Sequence, residues 1–318
     1  MTTKEENDIE GLPGVGPKIA EKLREAGYTE LMSIAAASSG EIVGAAEIGD
    51  ETANKIIAAA RDKLEMGFEL ATKVLEKRKS ISKLTTSSKA LDALLGGGLE
   101  TQAITEAHGA FGSSKTQLGL QLAINAQLPK DKGGLDGRVV FIDTESTFRP
   151  ERAAQIAKAA GLDPQKALGN IFIAKAYNSD HQVILAEKAE ELIKKENIRL
   201  IIVDSLTSHF RSDYTGRGTL ANRQQKLNRH LHKLQRLADV YNLVVYVTNQ
   251  VMSRPDVMFG DPTVPIGGNI VGHQATYRLY FRKSKGEKRV AKLIDSPNLP
   301  EGECVFTVVA DGIRDDKE

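Results

Sequence analysis

Apolar residues recur along this chain in three patterns, and each predicts a different kind of structure. From Ile9 to about Arg61 small apolar residues fall at helical spacing between glycines, in an Ala-rich segment. That segment echoes itself. Val15-Gly16-Pro17-Lys18-Ile19-Ala20-Glu21-Lys22-Leu23 has its counterpart 33 positions later in Ile48-Gly49-Asp50-Glu51-Thr52-Ala53-Asn54-Lys55-Ile56. Two copies are too few for a stacked array, so the pattern predicts two hairpins packed face to face in one small all-α domain. Residues 62–83 turn Lys- and Glu-rich around a lone Phe68 and predict a partly helical linker. From Leu84 onward, continuous apolar runs alternate with helical stretches. Runs 139–142, 200–203 and 244–247 predict buried strands, and 180–196 and 220–242 predict helices. Such strands between helices imply a mostly parallel sheet covered on both faces. Segments 276–282, 289–294 and 305–309 predict successive strands joined by short turns. The expected division is therefore 1–61 as a helical domain, 62–83 as a linker and 84–318 as an α/β core.

Composition narrows the classes. The chain has 318 residues and one cysteine, Cys304, so an internal disulfide framework is excluded and a reducing cytoplasm fits. The first residues are polar where a signal peptide needs an apolar run, and no apolar stretch approaches a membrane span. The expected location is cytoplasmic. Lys and Arg number 43 against 42 Asp and Glu, a balance that leaves nucleic acid open because local patches, not net charge, decide that question.

The candidate chemistry gathers at predicted strand ends. After a predicted strand at 103–106 comes Gly109-Ala110-Phe111-Gly112-Ser113-Ser114-Lys115-Thr116, then a helical run beginning at Gln117. Phosphate loops read G-x-x-x-x-G-K-[ST] in this setting. Backbone N–H groups and the helix start would cradle phosphates, Lys115 would reach them, and the Thr116 hydroxyl would face Mg²⁺. Ser114 breaks the pattern by adding a Cβ where glycine normally lets the backbone pass close to phosphate. Downstream, one strand ends in Asp143-Thr144-Glu145, a second in Asp204-Ser205 and a third in Thr248-Asn249-Gln250. Asp204 suits Mg²⁺ held through water, and Glu145 suits a general base for an attacking water. A solvated strand end explains any one of these carboxylates, but not three polar tips beside a phosphate loop.

Other segments suit DNA. Leu12-Pro13-Gly14-Val15-Gly16-Pro17-Lys18 resembles a helix–hairpin–helix, which serves either as a phosphate contact through Lys18 or as a protein–protein module. Arg211, Arg217 and Arg223 surround a Gly-flexed loop and suit phosphates. Residues 251–272 are long, Gly- and Pro-rich and without periodicity.

Longer stretches carry a family resemblance: Leu94-LGGGLE, Asp143-TESTFRPER, Ala176-YNSD, Asp204-SLTS, Tyr214-TGRG, Asn249-QV, Pro265-IGGNIVGH and Asp295-SPNLP. With them the chain resembles the archaeal RadA recombinases, relatives of bacterial RecA, from the N-terminal LPGVGPKIAEKL to the C-terminal DGI. The resemblance implies a RecA-like P-loop ATPase core behind a helix–hairpin–helix domain. It implies ATP and Mg²⁺ as ligands and a homo-oligomeric filament or ring on single- and double-stranded DNA, near the nucleoid. It implies homologous pairing and strand exchange with DNA-stimulated ATP hydrolysis. Matching positions take roles: Gly109, Phe111, Gly112, Ser113, Ser114, Lys115, Thr116 and Gln117 around the nucleotide, with Thr116 and Asp204 on the metal. Glu145, Lys115 and Gln250 serve catalysis, and Arg152 stacks on the base. His273, Asp295 and Pro297 approach ATP from a neighbouring protomer. Lys18, Arg211, Arg217, Arg223, Met258, Phe259, Gly267 and Gly268 meet DNA, and Phe68 with Ala71 forms the F-x-x-A polymerisation motif. Two departures, Ser114 and Ser146, replace glycines of the family pattern. They imply weakened ATP binding or turnover on a retained fold, and leave open an accessory relative with an impaired nucleotide site.

Overall fold

A computed structural model describes residues 9–64, 66–253 and 263–316. The chain divides into two compact units, Met1–Ser80 and Ile81–Glu318.

In the first unit, α1 (Pro17–Glu25), α2 (Leu31–Ala35), α3 (Ser39–Ala46) and α4 (Asp50–Lys63) enclose a small apolar core. The sequence echo has a physical meaning there. Gly16 and Gly49 are the N-caps of α1 and α4, both extended. Ala20 and Leu23 of the first copy match Ala53 and Ile56 of the second, and all four are fully buried. Lys22 and Lys55 point outward to ion pairs with Glu47 and Glu51. A short helix, α5 (Ala71–Arg78), follows with no buried residue. Phe68 lies between α4 and α5, outside both helices. Phe68, Leu70, Val74 and Leu75 are all exposed.

The second unit opens with the paired short strands β1 (Lys83–Leu84) and β2 (Leu99–Glu100), which flank α6 (Lys89–Leu94). Alternating strands and helices follow: β3 (Ala103–Gly109), α7 (Lys115–Asn125), β4 (Arg138–Asp143), α8 (Pro150–Ala159), α9 (Pro164–Gly169), β5 (Ile171–Lys175), α10 (Ser179–Glu196), β6 (Ile198–Asp204), α11 (Ser208–Asp213), α12 (Leu220–Tyr241) and β7 (Val244–Asn249). A small hairpin, β8 (Val251–Ser253) with β9 (Thr263–Pro265), leads to α13 (Gly268–Gln274). The chain then runs through β10 (Tyr277–Lys283), β11 (Lys288–Asp295), β12 (Gly302–Val309) and β13 (Gly312–Asp315).

Nine strands form one sheet in the order β13-β12-β11-β10-β3-β7-β6-β4-β5. The stretch from β10 to β5 is parallel, and β11 to β13 continue it antiparallel. The continuous apolar runs are explained by burial on both faces. Val139, Phe141, Leu200, Ile202, Val244 and Tyr246 join the core under α6–α9. Their immediate neighbours Val140, Ile142, Ile201, Val203, Val245 and Val247 join the core under α10 and α12, as a two-residue period demands. His230 is fully buried, beside Gln182 at 3.2 Å, and burial pushes its pKa down to about 4, so it is a neutral core residue. Cys304 is half-buried on β12, and burial pushes its thiol up to about 12. Among the described residues no helix is long and apolar enough to cross a membrane.

Candidate nucleotide site

The parallel strands β3, β4, β6 and β7 all end at the same edge, and register fixes how their tips align. Asp143 pairs with Asp204, and His108 with Asn249. Open α/β sheets hold ligands at this carboxyl edge. A cleft of about 710 Å³ opens there, within the usual range for ligand sites. It is lined by Gly109, Phe111, Gly112, Ser114, Lys115, Thr116, Gln117, Glu145, Asp204 and Gln250, residues spread over 142 positions of sequence.

Gly109 admits no side chain, since a Cβ there would stand 2.2 Å from the Phe281 carbonyl oxygen. Lys115 Nζ donates to the carbonyls of Gly109 at 2.8 Å and Ala110 at 3.1 Å, and to buried Ser113 Oγ at 3.3 Å. Burial lowers its pKa, while Asp204 and Glu145 pull the other way. The Tyr246 hydroxyl, rising from the core, donates to the Lys115 carbonyl at 2.9 Å and fixes the start of α7.

The two strand-tip carboxylates of β4 do different work. Asp143 is consumed by its own turn, accepting from the N–H groups of Glu145, Thr147 and Phe148 at 3.1 Å each. That turn presents Glu145 to the cleft, where Gln250 Nε2 donates to Oε1 at 2.6 Å. Burial, then the Asp204 charge, raises the Glu145 pKa, and the Gln250 bond and Lys115 oppose them. Asp204 is buried and accepts from the Thr248 and Thr116 hydroxyls. Burial raises its pKa despite those bonds.

A buried carboxylate served only by hydroxyls, next to a second carboxylate, is the donor set a hard divalent cation suits. Mg²⁺ takes one or two protein oxygens and completes its shell with water and phosphate. Thr116 and Asp204 would hold the ion.

Both departures from the glycine pattern lie at left-handed backbone: Ser114 has φ +82° and Ser146 φ +57°. That conformation costs an L-residue about 1–2 kcal/mol and glycine nothing. At Ser114 the hydroxyl accepts from Arg289 Nε at 3.0 Å. A hydrogen bond from a charged donor contributes about 1.5–3 kcal/mol, enough to offset the strain. Sequence reasoning missed Arg289. It sits on β11, where the mixed run KRVAKLID reads as an ordinary half-exposed strand.

Not every expected residue reaches the cleft. Arg152 Nε donates to Gln117 Oε1 at 2.9 Å, and its Nη groups bind the carbonyls of Val309 and Ala310 at 2.7 and 2.5 Å. His273 lines a separate groove with Gln224, Asn228 and Ile270 between α12 and α13. Asp295 ends β11, and neither it nor Pro297 is among the residues lining the cleft. Arg211 is exposed on α11, Arg217 opens a 3-10 turn, and Arg223 lies in the first turn of α12. Gly267 and Gly268, at φ +98° and +59°, start α13. Within the 251–272 segment, 251–253 and 263–265 pair as a hairpin, while Met258 and Phe259 lie outside the described residues. Lys18 is exposed on α1.

Comparison with known proteins gives the chain's relatives. A family model described as Rad51 covers residues 77–316. A second, described as a SAM-like helix-hairpin-helix tandem, covers residues 6–62. The DNA repair and recombination protein RadA of Aeropyrum pernix is 53% identical over 312 residues, spanning 98% of each chain.

Proposed function

This chain belongs to the Rad51 family of DNA repair and recombination proteins, and on that premise we propose that it is an ATP-driven strand-exchange recombinase. It assembles head to tail on single-stranded DNA, pairs that strand with homologous duplex and hydrolyses ATP faster when DNA is bound. The observation that carries the reading is the contact between Gln250 and Glu145. One bond joins the group that would deprotonate water to the strand tip that leads directly into the β8–β9 hairpin.

In this reading the loop of residues 109–116 and the first turn of α7 bind the phosphates, and Lys115 leaves its carbonyl partners for them. Glu145, ionised, orients and deprotonates the attacking water. Bound Mg²⁺ would supply charge neutralisation at the phosphates. Lys18, Arg211, Arg217, Arg223 and the residue 251–272 loop supply DNA contacts. Arg152 would turn to the base, and His273, Asp295 and Pro297 would meet ATP across a protomer boundary.

The exposed Phe68-Glu69-Leu70-Ala71 segment supports head-to-tail polymerisation. An aromatic plug on one copy and a socket on the next generate filaments or rings. Residues 62–83 then serve as a linker, and the work is done at the nucleoid. Phe68→Ala should convert polymers to monomers in sedimentation, and unchanged sedimentation refutes the plug. A second reading, a filament former with slow turnover, is favoured by Ser146, whose strained turn lies directly beside Glu145. Strand exchange and ATPase assays with and without single-stranded DNA separate the two. Stimulated hydrolysis supports the first, and DNA binding without turnover supports the second.

A further inference from the structure

Two side chains of the β10–β11 hairpin lie against the phosphate loop. Lys283 and Arg289 are directly paired across the hairpin, so their side chains leave the same face. The Lys283 ammonium lies against Gly112, where a Cβ would meet it at 2.7 Å. Arg289 Nε donates to Ser114 Oγ at 3.0 Å. Like charges directly opposite in a ladder repel, so the pair needs acceptors in front of it.

Arg289 is also anchored from behind. Its Nη1 donates to the Gly286 and Lys288 carbonyls at 3.0 and 2.8 Å. A guanidinium can make these bonds and the Nε bond at once because its donors form a rigid fork. Ser114, for its part, makes no side-chain cap bond to α7, so its hydroxyl is free to take the Arg289 bond. The same arginine lines the cleft together with Gly286 and Glu287.

We propose that Arg289 is a positioning residue of the nucleotide site, holding the phosphate loop in its left-handed turn through the Ser114 hydroxyl while Lys283 braces the loop at Gly112. Ser114 is then one half of a latch and not a damaged glycine. The inference rests on the nucleotide reading above and adds a residue to it. It has a distinctive consequence: Arg289 matters because Ser114 is present, since glycine would hold the turn unaided.

The test is a double-mutant cycle in the full-length chain, with wild type, Ser114→Gly, Arg289→Gln and the double variant, read by ATP titration and steady-state turnover. Arg289→Gln should weaken ATP binding about tenfold, raising KM with kcat kept within about twofold. In the Ser114→Gly background the same change should cost less than about threefold. Arg289→Lys should not rescue, because an ammonium lacks the fork. Equal penalties in both backgrounds, or a fall in kcat at unchanged KM, overturn the latch while leaving ATP binding intact. Failure of all four proteins to bind ATP overturns the nucleotide reading and the latch together.

Discussion

Two turns flank the nucleotide cleft, each with a serine at left-handed backbone, and their surroundings treat them differently. At Ser114 the hydroxyl is bonded to an arginine held by its own hairpin. Ser146 is exposed, and its carbonyl accepts from Arg149 Nη1 at 3.1 Å, with no side-chain bond to its hydroxyl among the described residues. The first turn shapes a binding loop packed against neighbouring strands. The second presents the Glu145 carboxylate to the cleft. The same local strain is therefore offset by tertiary contact in one place and left standing in the other, so a glycine-to-serine departure cannot be judged from its position in a motif alone.

The largest break in that comparison lies next to Ser146. Glu145→Gln should lower DNA-stimulated turnover about 10²–10⁴-fold while ATP affinity in a binding titration stays close to wild type. A parallel loss of affinity would mean the two turns do not divide binding from chemistry. Gly109→Ala tests the other side. Its Cβ would collide with backbone, so thermal unfolding should show a loss of about 2–3 kcal/mol together with weakened nucleotide binding.

A smaller effect concerns pH. The Glu145 pKa is raised above its ordinary value of 4.5, chiefly by burial, so the acid limb of kcat/KM should lie above that value. Gln250 donates to the ionised carboxylate and lowers its pKa. Gln250→Ala should therefore move the limb to still higher pH, and a shift downward would reject the contact. The stability sign is the reverse of a salt-bridged acid. With the folded pKa raised, ionising Glu145 costs stability as pH rises from 4.5 through the folded value, and Glu145→Gln should remove that loss in unfolding measured across the same range. The smallest effect is Ser146→Gly. Relief of left-handed strain is offset by the greater freedom of glycine when unfolded, so stability should change by less than about 0.5 kcal/mol in denaturant titration.

Much of this is legible in the amino-acid sequence. Strand runs at 139–142, 200–203 and 244–247 were visible because burial on both faces leaves no polar alternation to confuse them. The helix–hairpin echo was visible because each copy buries the same Ala and aliphatic positions. Strand β5 (Ile171–Lys175) was not foreseen, since it lies at the sheet edge and only Ile171 is buried in it. Nor was the β8–β9 hairpin, whose three-residue strands are too short to set a period.

By itself, the sequence determined the fold class, the family likeness and which residue types crowd the phosphate loop, because hydrophobic period and local motif spacing are properties of neighbours along the chain. Only the tertiary structure decided which of those residues act together. It assigned Asp143 to its own turn and Glu145 to the cleft, joined Gln250 to Glu145 across 105 positions, and set Arg289 against Ser114 across 175. Those pairings depend on strand order and register, which bring distant tips to one edge, and no local pattern encodes a contact whose two partners are chosen by the path of the sheet between them.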